Sequence, residues 1–162
     1  MPYTPILATL GYVMSPDRKK TLLIHRNTRT DDYHLGKYNG LGGKLEPDED
    51  IVTGLRREIR EEAGIEIAEI ELRGTISWPG FGKHGEDWFG FIFRVNQYEG
   101  TPYTNNPEGT LSWVPVDQIM DLPLWEGDRY FLPLLFGDDP RQFHGVMPYE
   151  GGSPVSWHCS LI

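Results

Sequence analysis

The chain has 162 residues, 38% of them hydrophobic and 12% aromatic, a length and content that suit a single domain over residues 1–162 with its own core. Lys plus Arg number 15 against 24 Asp plus Glu, a formal net charge of −9, which argues against binding to nucleic-acid polymers or to an anionic membrane. One cysteine, Cys159, excludes an intrachain disulfide framework and a multi-cysteine zinc site. No stretch reaches the roughly 18 apolar residues of a membrane span. Met1 to Val13 has no basic flank and is interrupted by Pro2 and Pro5, so no signal peptide is read and the expected compartment is the cytoplasm.

In chain order, Ile6 to Met14 reads as a strand, Ser15 to Lys20 as a turn and Thr21 to Arg26 as a second strand, together a hairpin. A polar loop runs to Lys37, followed by a short extended stretch from Tyr38 to Leu45. Asp50 to Ala63 is predicted helical, because Ile51, Leu55, Ile59 and Ala63 recur every four residues, and Gly64 follows as a stop. Ile65 to Trp78 and Asp87 to Gln97 alternate as strands around the glycine-containing loop Pro79 to Glu86. Leu111 to Pro115 reads as another strand, with helical patterns at Val116 to Met120 and Glu126 to Phe136. Phe143 to Tyr149 and Val155 to Leu161 are expected to form a closing strand pair. Strands outnumber helices, which predicts an α/β (α+β) fold, a mixed sheet with helices packed on it.

The helix carries the chemistry. Glu58, Glu61 and Glu62 fall at i, i+3 and i+4, so the three carboxylates project from one face, beside the apolar stripe of Val52, Leu55, Ile59 and Ala63. Gly54 lies on that acidic face and costs about 1 kcal/mol relative to Ala in a helix; the gap reads as room for a group to approach the acids. One reading is a solvated charged face, with Arg57 paired to Glu61. The other is a partly dry cleft, where such acids need a hard cation such as Mg²⁺ or, as a substitute, Mn²⁺. Zinc is disfavoured, since the histidines lack His-Glu-x-x-His spacing. Gly36 to Lys44 ends in Gly-Gly-Lys but lacks P-loop spacing, with Leu45 where Ser or Thr would stand. Cys159 reads as a small buried hydrophobe.

Gly43, Glu49, Arg57, Glu58, Ile59, Glu61, Glu62, Gly64 and Ile65 match the spacing of the signature of Nudix hydrolases at each specified position, so the chain resembles that family. The resemblance implies an α/β/α sandwich with a mixed central sheet and Mg²⁺-dependent cleavage of a nucleoside diphosphate linked to another group. It also implies that Glu58, Glu61 and Glu62 hold metal with the Gly43 carbonyl. Arg57 would orient the carboxylates, and Glu49 would cap or support the loop–helix junction. Lys44 and Arg26 are placed to touch phosphate. The general base is split between Glu58 and Glu108, the latter resembling a loop acid of relatives that also serves the metals.

Beyond the signature, Tyr38 to Lys44, Glu108 to Trp113, Trp125 to Asp128 and Phe143 to Gly145 are similar to the mutator-type branch that hydrolyses oxidised purine nucleoside triphosphates. That likeness implies that Asn39 and Asp128 bond the purine edge, Trp125 stacks on it, and Thr9 and Trp78 line the same pocket. A core role for the two tryptophans is the alternative. Some relatives carry two adjacent acids at the base, whereas Gly127 precedes Asp128 here. The expected activity is conversion of 8-oxo-dGTP to 8-oxo-dGMP and pyrophosphate, a nucleotide-pool step serving DNA repair, by a monomer or homodimer whose partner is a small nucleotide. The alternatives are a Nudix hydrolase for ADP-ribose or dinucleoside polyphosphates and a non-catalytic nucleotide-sensing module. An isomerase would need a reactive thiol that Cys159 does not offer.

Overall fold

Period-two alternation decides the architecture. In the computed structural model, which describes all residues 1–162, the strands are β1 (Ile6–Met14), β2 (Lys20–Arg26), β3 (Tyr38–Asn39), β4 (Leu41–Lys44), β5 (Glu66–Trp78), β6 (Trp88–Glu99), β7 (Asn105–Asn106), β8 (Gly109–Pro115), β9 (Phe143–Val146), β10 (Tyr149–Glu150), β11 (Ser153–Pro154) and β12 (His158–Leu161). The helices are α1 (Ile51–Ala63) and α2 (Asp128–Phe136), with a 3₁₀ segment over Val116–Asp121. Along β1, β2 and β6, consecutive residues point to opposite faces. Val13, Leu22, Ile24 and Phe93 join the core beneath α1, with Leu55, Ile59 and Ala63. Tyr12, Leu23 and Ile92 join the core beneath α2, with Phe131, Leu132 and Leu135. The sheet is therefore covered on both faces, an α/β/α sandwich.

The main sheet runs β12-β9-β5-β6-β1-β2-β8-β7 and is mixed, with β1–β6 and β5–β9 parallel. Opposite β6, the edge of β1 is shared. Ala8 to Gly11 pair with β4, while Val13 and Met14 pair with β2. The two partners diverge from β1, and the cleft described below lies over this divergence.

Helix α1 is fixed at both ends by its own sequence. The Asp50 carboxylate accepts from the backbone N–H groups of Val52 and Thr53. Gly64 takes the left-handed conformation at φ 70° and donates its N–H to the Arg60 carbonyl. The N-terminal cap is thus Asp50 and not Glu49, because the shorter acid reaches the first-turn donors. Several expectations are revised in detail. Strand β8 begins at Gly109, and β7 pairs with it as an unforeseen edge. The closing strand pair is shorter than expected: β9 pairs with β12, and Tyr149 instead starts the separate β10–β11 hairpin. Cys159 is half-buried on the edge strand β12, not in a core, since only one side of that strand is covered. No helix is long and apolar enough to cross a membrane.

Candidate active site

The acidic end of the cleft is built by α1, β4 and the loop before β8. Register on β1 sets Gly43 opposite Thr9 and Gly42 opposite Leu10, which carries β4 beneath α1. A Cβ at Gly43 would stand 2.7 Å from the Glu58 carboxylate, so the glycine lets that side chain lie flat against the strand. Arg57 ties the group together: its guanidinium donates to Glu49 at 2.7 and 3.0 Å, to Glu58 at 3.0 Å and to the Lys44 carbonyl at 3.2 Å. This grip holds the Glu49 carboxyl near a pKa of about 2, and Glu49 also accepts the Glu46 N–H. Glu49 therefore supports the junction by bracing Arg57.

Gly54 has a different purpose from the one expected. A Cβ there would meet the Leu45 side chain at 2.5 Å and the Glu49 carboxylate at 3.0 Å. The gap on the acidic face is filled by the protein's own loop, so no ligand approaches through it. The carboxylates also part company. Glu58 and Glu62 line the cleft, whereas the Glu61 side chain is 60% exposed and reaches only Arg57, at 3.5 Å.

Glu108 faces them from the loop before β8, and Asn106 holds that loop. Its side-chain amide donates to the Glu62 carbonyl at 3.0 Å, while its oxygen accepts the Glu108 and Gly109 N–H groups. Burial pushes the Glu62 carboxyl well above the usual carboxylate range, and the charges of Glu108 and Glu58 add to this. Burial raises Glu58 as well, against the pull of Arg57. No three His, Cys, Asp or Glu side chains close on one another at ligand spacing. What the site offers is a facing pair of glutamates, a third across the cleft and the Gly43 backbone, all hard oxygen donors. That donor chemistry fits Mg²⁺ or Mn²⁺.

Arg26 and Lys44 bring positive charge to the same end. The Arg26 guanidinium is clamped by Asp32 at 2.7 and 3.1 Å, and its free edge lies 3.5 Å from Glu108. The Lys44 ammonium sits over the Trp88 ring, 5.7 Å from its centroid.

A cavity of about 440 Å³ runs from these groups to an aromatic end. Asn39, Thr9, Trp78, Trp125 and Asp128 all line it. Trp125 is both wall and core: it is 6% exposed, packs edge-on against Phe81 at 4.8 Å, and donates its indole N–H to His34 Nδ1 at 2.7 Å. Burial, aided by the Arg26 charge, lowers His34 to a pKa of about 4, which keeps the imidazole neutral and able to accept. Asp128 opens α2, and burial raises its carboxyl to about 7 against the pull of Lys37 and Arg129. Four buried side-chain polar atoms have no protein partner, and three of them, Thr9 Oγ1, Asn39 Nδ2 and Trp88 Nε1, belong to residues of the cavity wall. Unpaired polar atoms are costly in a closed core and are expected where a ligand supplies the partners.

His34, Phe81, Trp88 and Tyr149 also line the cavity and were not singled out from the sequence. They sit in the polar loop, the glycine-containing loop, a strand start and a late hairpin. No local spacing connects these segments.

The NUDIX domain family matches residues 5–135. The oxidized purine nucleoside triphosphate hydrolase of Mus musculus is 35% identical over 147 residues, covering 91% of this chain and 88% of that protein. The protein of the same name from Danio rerio is 30% identical over 156 residues, covering 96% and 94%. Among solved structures, a mutator MutT protein from Bacillus halodurans superposes with a TM-score of 0.83 at 26% identity, covering 96% of this chain and 97% of that one. With the signature helix folded against a nucleotide-sized cleft, the chain belongs to the Nudix family as a MutT-type Nudix hydrolase.

Proposed function

We propose that the protein is a divalent-metal-dependent nucleoside triphosphate diphosphatase that converts oxidised purine nucleotides, 8-oxo-dGTP foremost, to the monophosphate and pyrophosphate. The observation that carries this reading is one continuous cavity with hard oxygen donors and two cations at one end and unpaired base-reading groups between aromatic walls at the other. The named activity of the mouse and zebrafish relatives supports it.

In this reading Glu58, Glu62 and the Gly43 carbonyl hold the cation, with Glu61 serving a further ion at the outer margin. A bound divalent ion neutralises phosphate charge and acidifies an attacking water. Arg57 fixes the direction of Glu58 from behind, and Lys44 and Arg26 receive phosphate oxygens. The proton lost by the water passes to a carboxylate oxygen of Glu108 or Glu58. Asn39 and Asp128 take the purine edge and Thr9 and Trp78 close the pocket. Trp125 contributes stacking of roughly 1–3 kcal/mol, a range known for bases on aromatic side chains. Water cleaves the anhydride between the α- and β-phosphates, so the balance is one water consumed and the monophosphate, pyrophosphate and one proton released.

Initial rates across 8-oxo-dGTP, dGTP, dATP, ADP-ribose and a dinucleoside polyphosphate in Mg²⁺ test the assignment. The highest kcat/KM is expected for 8-oxo-dGTP, with stoichiometric pyrophosphate. A higher value for ADP-ribose or the dinucleoside polyphosphate would overturn it.

A further inference from the structure

Gly127 has φ −66° and ψ −23°, an ordinary right-handed conformation open to any residue, so its backbone does not call for glycine. Space does. A Cβ at position 127 would collide with the Tyr149 hydroxyl and the Met147 sulfur. The phenol of Tyr149 thus occupies the place beside Asp128 that a side chain at 127 would take. It arrives there from the β10–β11 hairpin, anchored by its own N–H to the Pro79 carbonyl at 2.8 Å and by edge-on packing against Phe81 at 4.9 Å.

The hydrogen bonding of this pair is incomplete in a particular way. Tyr149 Oη accepts the Gly127 N–H at 3.1 Å, and its own O–H has no acceptor in the protein. The Asp128 carboxyl receives no hydrogen bond from the protein. Both residues line the cavity. A committed donor and an acceptor therefore stand side by side at the base end. A 6-oxopurine presents the complement, an O6 acceptor next to an N1–H donor. A 6-aminopurine presents the reverse order, which would set an N–H against the phenol proton.

We infer that Tyr149 is a specificity-determining residue, its hydroxyl donating to O6 of a 6-oxopurine whose N1–H is taken by Asp128. This rests on the purine-nucleotide reading above and adds to it the choice of guanine-type over adenine-type bases. The phenol keeps its proton throughout, since burial and the neighbouring Asp128 raise its pKa.

The test compares Tyr149→Phe with the wild type on 8-oxo-dGTP and 8-oxo-dATP. One lost hydrogen bond of about 1 kcal/mol sets the scale, so kcat/KM for the guanine nucleotide should fall roughly fivefold more than for the adenine nucleotide. An equal fall for both, the result of a purely structural role through the Gly127 N–H, would overturn the inference, as would no fall. If the variant fails to fold, wild-type affinities for 8-oxo-dGMP and for its 6-thio analogue, which keeps the N1–H but offers only a weak acceptor at position 6, decide the matter. Tighter binding of the former by up to about fivefold is expected, and equal affinity refutes it. Should the wild type not prefer oxidised nucleotides at all, the substrate proposal fails, while the same comparison with dGTP and dATP still judges Tyr149.

Discussion

The two ends of the cleft are assembled in opposite ways. At the acidic end, residues 43 to 62 supply Gly43, Lys44, Glu49, Arg57, Glu58 and Glu62 from one strand–loop–helix unit, and only Arg26 and Glu108 come from elsewhere. At the aromatic end, Thr9, His34, Asn39, Trp78, Phe81, Trp125, Asp128 and Tyr149 come from segments spread along most of the chain. Charge placement relative to a phosphate tolerates little error, and a capped helix braced by one arginine provides that rigidity locally. Base recognition is set by shape and by the order of donors and acceptors. Loops delivered from several directions can change one wall at a time, as the exchange of a side chain at 127 for the Tyr149 hydroxyl illustrates.

The strongest way to break this comparison is at the acidic end. Glu62→Gln keeps the side chain's shape while removing a carboxylate from the buried pair, and kcat should fall by at least about a hundredfold with nucleotide still bound. Glu61→Gln, altering a side chain at the outer margin of the cleft, should cost less, about tenfold. Equal losses measured under saturating Mg²⁺ would show that exposure does not rank these acids.

A smaller effect is expected at the aromatic end, and there it is one of stability. Asp128 titrates at about 7 in the folded protein, against about 4 when unfolded. The native state therefore binds the extra proton between those values, so the stability that Asp128 contributes is fully present below about pH 4 and is lost as pH rises through 7. Lys37 and Arg129 oppose the shift, while the Tyr12 and Tyr149 rings that share Asp128's field stay uncharged throughout this range. Asp128→Asn removes the burden, and thermal melts at pH 8 should show a higher midpoint than the wild type, by about 2–4 °C per kcal/mol recovered. At pH 4 the two proteins should melt alike. A lower midpoint for the variant at pH 8 would contradict the burial of this carboxyl.

The smallest effect concerns the support of α1. Asp50→Ala deletes the N-cap and should lower stability by about 1 kcal/mol in denaturant titration. Activity should stay within error, because Arg57, not the cap, fixes Glu58. A large activity loss would mean that the helix end moves with its cap.

The Ile51–Ala63 periodicity, the Asp50 and Gly64 boundaries and the clustering of Glu58 and Glu62 were legible because a helix converts spacing directly into a shared face. One local inference did not carry over, and the direction of one side chain was not legible. The space at Gly54 belongs to Leu45 and Glu49, and Glu61 turns outward. Both depend on how the preceding loop folds back on the helix, which helical periodicity does not encode. His34 and Tyr149 gave no signal at all, since a histidine in a polar loop and a tyrosine in a late strand acquire meaning only from Trp125 and Gly127.

The sequence alone thus determined the helix, its Gly64 stop, the alternating strands and an acidic helix face of hard oxygen donors, all consequences of chain periodicity and side-chain chemistry. Tertiary structure decided which acids face the cleft, what fills the glycine gaps and which hydrogen-bonding groups remain open at the base end. Those outcomes are settled by the sharing of β1 between two diverging strands and by loops meeting across a sheet, where distance in space has no counterpart in distance along the chain.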